Sequence, residues 1–391
     1  MCPGIDQDHS PKLAQLLIVR LFNMKKILPV LLCICLLLTS AMAGLEDGTF
    51  HYPLSVVNNE EVALKPAYSA FFQASEFSIL MPGLAQQFVP QGLAYYAPKN
   101  LMIFTGYDGV NTGSKKTSST LLGVDMSNNW IEKEIFLKNP DGSYYTGHAG
   151  GVCVTDKNIF ISDNNCLYRL SMNDFQASGI SGTCTFAEVI PLPVTASFCQ
   201  ISNGILWVGE FHHIPKDPTQ KAFRTDPSHR VDATSGQQNA WLVGYRLSGG
   251  TENELDTACI TAAGAIPDYI LSIPDRIQGF TICNDQLYLS QSYGRTNEST
   301  IFRYNNVLAN APDQQVSVLG STRPLWVLDA NAPDCKKLTA PPMSEGLCTI
   351  GDSVFISFES AAQTYRQPKD PSKGVSKDPV DRVIKLNPSA F

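Results

Sequence analysis

Basic residues are scarce in this sequence: 29 Lys and Arg stand against 36 Asp and Glu, for a net charge of −7. That balance excludes nucleic acid as a partner, which needs clustered Lys and Arg, and suits a cation or a neutral or basic ligand. No stretch carries the apolar period of an amphipathic helix. There is no G-x-S-x-G elbow, which excludes the usual Ser-His-Asp setting. There is no H-E-x-x-H, no C-x-x-C and no Gly-rich phosphate loop, so the common zinc, dithiol and nucleotide motifs are excluded as well. Beyond the N-terminus, no apolar run is long enough to span a bilayer.

The N-terminus reads as a secretory signal. Met24–Ala43 has a positive start (Lys25, Lys26), an apolar run (Ile27–Leu38) and the small-x-small site Ala41-Met42-Ala43. The apolar run is short for a membrane span, and an uncleaved anchor is the alternative. Met24 fits the true start, since residues 1–23 match no signal or domain pattern. The remaining chain, 44–391, would be more acidic still, secreted or periplasmic, and expected as a monomer. It keeps eight cysteines: an even count in an oxidising compartment argues for disulfides, and buried free thiols are the alternative. Cys166 and Cys184 flank one strand and make the preferred pair; Cys259–Cys283 and Cys335–Cys348 are weaker pairs by proximity.

What the sequence does have is a repeat. PQGLAYYAPKNLMIFTGYD from Pro90 reads as strand, tight turn, strand and polar loop. The same grammar recurs from Thr146, Ala196, Ile277 and Ser344. Each unit holds up to four short strands rich in Val, Ile, Phe and Tyr, bounded by turn residues; Asn203-Gly204 and Asn284-Asp285 read as hairpin turns. Five copies of a four-stranded unit predict an all-β, five-bladed β-propeller, with a β-sandwich or two all-β domains as the alternative. The fifth unit lacks a fourth strand, and FSIL from Phe77 stands where one is needed. The N-terminal segment is therefore expected to close the ring. In the second unit, TFAEVIPL is read as the fourth strand.

Loop lengths point to one face. The turns between first and second strands are short, whereas Ile214–Asn239 and Arg366–Asp381 are long, and function tends to sit on variable loops held by a rigid scaffold. Polar residues recur where the first strands begin: Gln91, His148, Gln278 and Glu345. Another set follows the second strands: Asp108, Asp163, Glu210, Gln291 and Glu359. Converging at one channel mouth, His148, Asp163, Glu210, Glu345 and Glu359 become candidates for acid/base chemistry. Asp163, Glu210 and Glu359 become candidates for a divalent cation such as calcium. Each carboxylate could equally cap a turn. Tyr107, Phe211, Tyr293, His212, His213 and Arg295 are candidates from the loops, Tyr107, Phe211 and Tyr293 as a platform for a ligand. Arg276 and Arg295 are the in-chain cations able to relieve the carboxylates. Asn297-Glu298-Ser299 fits a glycosylation sequon.

PQGLAYY, with LKNPDGSYYTGHAGGVCV from Leu137, resembles a family of secreted, mostly bacterial, propeller-type proteins without an assigned reaction. The resemblance implies the fold and export. Glu345-Gly346 is loosely similar to lactonase and esterase-like phytase propellers, which implies a metal-assisted site; Gln91-Gly92 departs from their pattern. Two readings remain. The first is a propeller that binds a glycan, small molecule or protein at the channel mouth. The second is an extracellular, divalent-metal-assisted hydrolase of a small ester, lactone or sugar derivative. The sparse residue signature favours binding.

Overall fold

The second strand of each repeat is apolar nearly throughout, a pattern that belongs to strands covered on both faces. A computed structural model describing residues 53–109 and 117–391 shows what covers them. The signal reading and the loop 110–116 lie outside the described residues. Five sheets, each with an antiparallel four-stranded core, stand around one axis, so every sheet is packed between two neighbours. Their second strands are Leu101–Asp108, Asn158–Asp163, Ile205–Gly209, Gln286–Gln291 and Ser353–Phe358. The chain is a five-bladed β-propeller.

The innermost strands are Phe88–Tyr96, Gly151–Val154, Phe198–Ser202, Ile277–Cys283 and Ser344–Ile350. Each packs against its neighbours in chain order, and the fifth meets the first. Their approach is close enough to demand glycine. A Cβ on Gly92 would lie 2.5 Å from Thr105 Oγ1 and from Val152 N, one on Gly279 2.5 Å from the Glu345 carbonyl, and one on Gly346 2.7 Å from Leu93 N. The recurrent glycine of these motifs is thus an axial packing requirement. Gly92→Ala should destabilise the fold by about 2–3 kcal/mol through overpacking. Gly249→Ala, whose Cβ would meet nothing within 4 Å, should stay within about 0.5 kcal/mol of the parent. Urea unfolding of the two variants side by side checks the contrast.

Two hairpin turns form as their residues require. Asn203 and Gly204 have φ of 53° and 71°, Asn284 and Asp285 51° and 56°. These left-handed conformations match the twist of the flanking strands.

The ring closes through the N-terminus. Ser75–Leu80 pairs antiparallel with Arg382–Leu386 and so supplies the outer strand of blade five. Asp381, fully buried, secures the join: it accepts from Val56 N (2.6 Å), Val57 N (3.1 Å) and Asn59 Nδ2, while its own N–H donates to Asn59 Oδ1 (3.1 Å).

Two expectations are corrected. TFAEVIPL is not one strand: Ser181–Thr185 leaves blade two and pairs in parallel with Ile131–Lys138 of blade one, and only Glu188–Pro191 completes blade two. A short helix, Met172–Ala177, precedes that exchange, with Ser171 as its N-cap. In the same way Ser321–Val327 crosses from the chain of blade four to the outer edge of blade three.

The second correction concerns cysteine. All eight described cysteines are free thiols. Cys184 leaves with its strand and pairs opposite Leu137 of blade one, whereas Cys166 pairs opposite Pro191 in blade two. Cys283 and Cys348 lie on innermost strands, while Cys259 and Cys335 lie beside outer ones. Three strand spacings, roughly 14 Å, separate the inner and outer edges of a blade, far beyond disulfide reach. Cys153 and Cys199 lie in one apolar cluster between blades two and three, where Cys199 Sγ donates to the Phe160 carbonyl (3.8 Å).

Candidate functional site

One position at the start of each innermost strand stands at the channel mouth. In blades one, two, four and five it precedes the axial glycine and is Gln91, Gly150, Gln278 and Glu345; in blade three it is Ser197, before Phe198. Long side chains fill one side of the mouth and small ones leave the other open. A cavity of about 490 Å³ occupies the space. Below it, Gln200 Nε2 crosses the axis to the carbonyls of Leu93 (3.3 Å) and Leu347.

The filled side is a continuous hydrogen-bonded wall. Gln278 Nε2 donates to Glu345 Oε1 (3.2 Å), Glu345 bonds to Glu359, and Gln91 Nε2 donates to Glu359 Oε2 (2.7 Å). Tyr365 donates to Glu359, and its hydroxyl lies 2.9 Å from that of Tyr107. Glu345 is buried behind the wall, and Glu359 faces the cavity. Burial lifts both carboxyls, and for Glu345 the charge of Glu359 adds to it. Glu359 is raised to about 7 by burial, against hydrogen bonds from Tyr365 and Gln91 and the charge of Arg295. Two carboxyls this close resist ionising together, so the pair gives up its last proton reluctantly.

The open side is lined by loops. Tyr107 stacks on the His148 ring, centroids 4.6 Å apart. The crowding around His148 lowers its pKa through desolvation, opposed by Asp163. Asp163 turns inward and accepts from Tyr145 Oη, His148 N (3.0 Å) and Asn164 N (2.9 Å). Phe211 and Phe223 meet edge to face at 5.2 Å, and Tyr293 packs on His213 at 3.7 Å. Ala149 and Met343, beside the innermost strands of blades two and five, have φ of 52° and 66°. Left-handed backbone is costly outside glycine, and such strain gathers at functional sites.

The structure therefore brings together Gln91, Tyr107, His148, Asp163, Gln278 and Glu359, with Tyr293 and Arg295 at the same cavity and Glu345 directly behind. It sets four candidates aside. Glu210 is fully buried and accepts from Thr195 N (3.0 Å), Trp241 N (2.9 Å) and His229 Nδ1 (2.8 Å), which ties the long insertion to blade three. Gln291 donates to the Asp275 carbonyl (2.8 Å), His212 Nδ1 holds Thr225 Oγ1 (2.9 Å), and Asp108 accepts from Thr117. None of these four lines the cavity. Nor do Asp163, Glu210 and Glu359 make the cation site expected for calcium. Among the described residues no three His, Cys, Asp or Glu side chains are grouped as metal ligands, because the carboxylates are committed to protein donors. Tyr365, Lys221 and Phe223 were absent from the sequence candidates. Lys221 and Phe223 sit on the long insertion, and only Tyr365, in the short helix Gln363–Arg366 after the second strand of blade five, carried a positional signal, like that of Tyr293 after the second strand of blade four.

Fold and cavity together define a five-bladed propeller with an aromatic-lined site at one channel mouth. No protein-family model and no curated protein matches the chain. Solved structures align with the chain at 9–11% identity. A Myxococcus xanthus glutaminyl cyclase (9% identical, TM-score 0.38) aligns over 80% of this chain and 95% of its own. A GH43_1 enzyme from Xanthomonas citri (10%, 0.38) aligns over 82% and 92%. An exo-β-1,3-galactanase from Phanerochaete chrysosporium (11%, 0.42) aligns over 81% and 69%.

Proposed function

We propose that this protein binds a small, polar, ring-bearing ligand, such as a glycan unit, in the cavity at the channel mouth. One observation carries the reading: a 490 Å³ cavity with aromatic side chains on one side and a hydrogen-bonded amide and carboxyl wall on the other. Cavities of that size, mostly apolar with a few convergent polar groups, are where small ligands bind. Aromatic faces take the C–H face of a ring, and Gln91 and Glu359 take its hydroxyls. Titration calorimetry against mono- and disaccharides tests the proposal. Tyr293→Ala and Gln91→Ala should each weaken binding about tenfold or more, equivalent to roughly 1.4 kcal/mol; unchanged affinity in both variants would remove the cavity from consideration.

A second reading, hydrolysis, has one observation in its favour: Glu359 faces the cavity next to Glu345, and burial raises it to about 7, a range suited to general acid/base work. The pair does not suit glycoside cleavage, in which two carboxyls stand about 5–9.5 Å apart with the bond between them. Hydrogen-bonded carboxyls leave no such room. In this reading Glu359 acts alone on a small ester or lactone, with Glu345 as its proton reservoir. Wild type and Glu359→Gln assayed on chromogenic esters decide between the two; turnover lost in the variant favours hydrolysis, and no turnover in either favours binding. Export, motivated by the Met24–Ala43 signal pattern, belongs to the same proposal. N-terminal sequencing of the mature protein checks it, with Gly44 expected as the first residue.

A further inference from the structure

We infer that the ligand carries a carboxylate on its ring, making the cavity a site for a sugar acid such as a hexuronic acid. The inference rests on the reading of the cavity as a ligand site and adds the charge of the ligand. Two cations line the cavity, Lys221 from the long insertion and Arg295 from the loop after the second strand of blade four. Among the described residues neither makes an ion pair. The Lys221 ammonium stands 4.6 Å over the Phe223 ring. The Arg295 guanidinium lies 4.8 Å over Tyr365, and its Nη1 donates to the Gly374 carbonyl (2.7 Å). Its other N–H groups have no protein acceptor among the described residues. Stacking and a backbone anchor fix the guanidinium in orientation while leaving its charge unmatched, the arrangement in which arginine recognises a carboxylate through paired N–H groups.

The carboxylates at the same mouth have partners of their own. Asp163 is committed to Tyr145 and to the backbone of His148 and Asn164. Glu359 accepts from Gln91 Nε2 (2.7 Å), and burial raises its carboxyl. Lys221 and Arg295 thus remain the groups able to pair with a carboxylate on the ligand, an attraction that is weak over long distances and stronger inside the partly desolvated cavity. A neutral sugar would leave both cations unmatched.

Calorimetry at pH 6 with glucuronate and galacturonate, with glucose and galactose as neutral counterparts and acetate as the bare carboxylate, tests the inference. The uronates should bind at least tenfold more tightly than the neutral sugars and than acetate. Lys221→Met and Arg295→Met should each cost the uronates fivefold or more, a larger loss than either variant causes for the neutral sugars, with thermal unfolding near that of the parent. Uronate affinity should also fall as salt is raised. Neutral sugars bound as tightly as uronates would overturn the charge and leave the ligand site standing. Acetate bound as tightly as the uronates would overturn the sugar ring. No binding by any of them would overturn the ligand reading as well.

Discussion

The unfolding free energy of this protein should fall by roughly 2–3 kcal/mol as pH rises from about 4.5 to about 7, and Glu359→Gln should flatten most of that fall. The sign follows from proton binding. Glu359 ionises near 4.5 in an unfolded chain and at about 7 in the folded one, so between those values the native state holds a proton that the unfolded state has released. Stability then declines with pH across the window and levels off above it. A shift of this size corresponds to about 3 kcal/mol at 1.36 kcal/mol per unit, reduced somewhat because water reaches Glu359 through the cavity. Glu345, raised further by burial and by Glu359, acts in the same direction. The groups facing the pair are Gln91, Gln278, Tyr107, Tyr365 and Arg295. Of these, Arg295 favours the ionised form of Glu359, and the tyrosines stay protonated throughout, held well above their usual range by burial. Urea unfolding at several pH values measures the slope. A curve flat between pH 4.5 and 7, or a slope that persists in both Glu359→Gln and Glu345→Gln, contradicts the raised carboxyls.

Binding of an anion should follow the same titration. Below pH 7 Glu359 is neutral and Arg295 is free to pair. Above it, the new charge beside Arg295 competes with the ligand, so uronate affinity should drop with rising pH in the parent and stay level in Glu359→Gln.

Glu210→Ala should destabilise the protein by about 3–5 kcal/mol while leaving ligand binding in the surviving folded fraction intact. The carboxylate is fully buried and holds the N–H groups of Thr195 and Trp241 together with His229. Truncation strands these donors away from water, and the loss of one partner of a buried polar cluster is where such large effects arise. His229 stacks on Trp241 at 3.8 Å, so the base of the insertion would loosen with it. Glu210→Gln keeps one acceptor and should lose about half as much. Chemical denaturation of both variants is the measurement; a loss below about 1 kcal/mol for the alanine variant would return Glu210 to the list of functional carboxylates.

The contrast between Glu210 and Glu359 explains how far the site was legible. Both are glutamates that end a second strand, and sequence position treats them alike. Their fates diverge because the residues after Glu210 form a long insertion whose base needs an acceptor. Glu359 instead meets Tyr365, Gln91 and Glu345, side chains drawn from the first and last blades. Position at the start of an innermost strand is what Gln91, His148 and Gln278, which line the cavity, share with Glu345, which lies behind it.

Short-range pattern by itself determined the five strand–turn–strand units, the Asn-Gly turn, the missing outer strand of the last unit and the N-terminal segment that fills it. Each of these follows from local hydrogen bonding, turn conformation and the burial of strands between sheets. Only the tertiary structure decided which strands change blades, which cysteines stay apart and which carboxylates are committed to backbone donors. It alone decided that Tyr107, Tyr365, Glu359 and Glu345 form one hydrogen-bonded wall. Those outcomes depend on which side chains meet in three dimensions, in the wall between residues as far apart as Gln91 and Glu359, 268 positions. Loop-closure cost grows only slowly with such a separation, so sequence distance says almost nothing about which of them will touch.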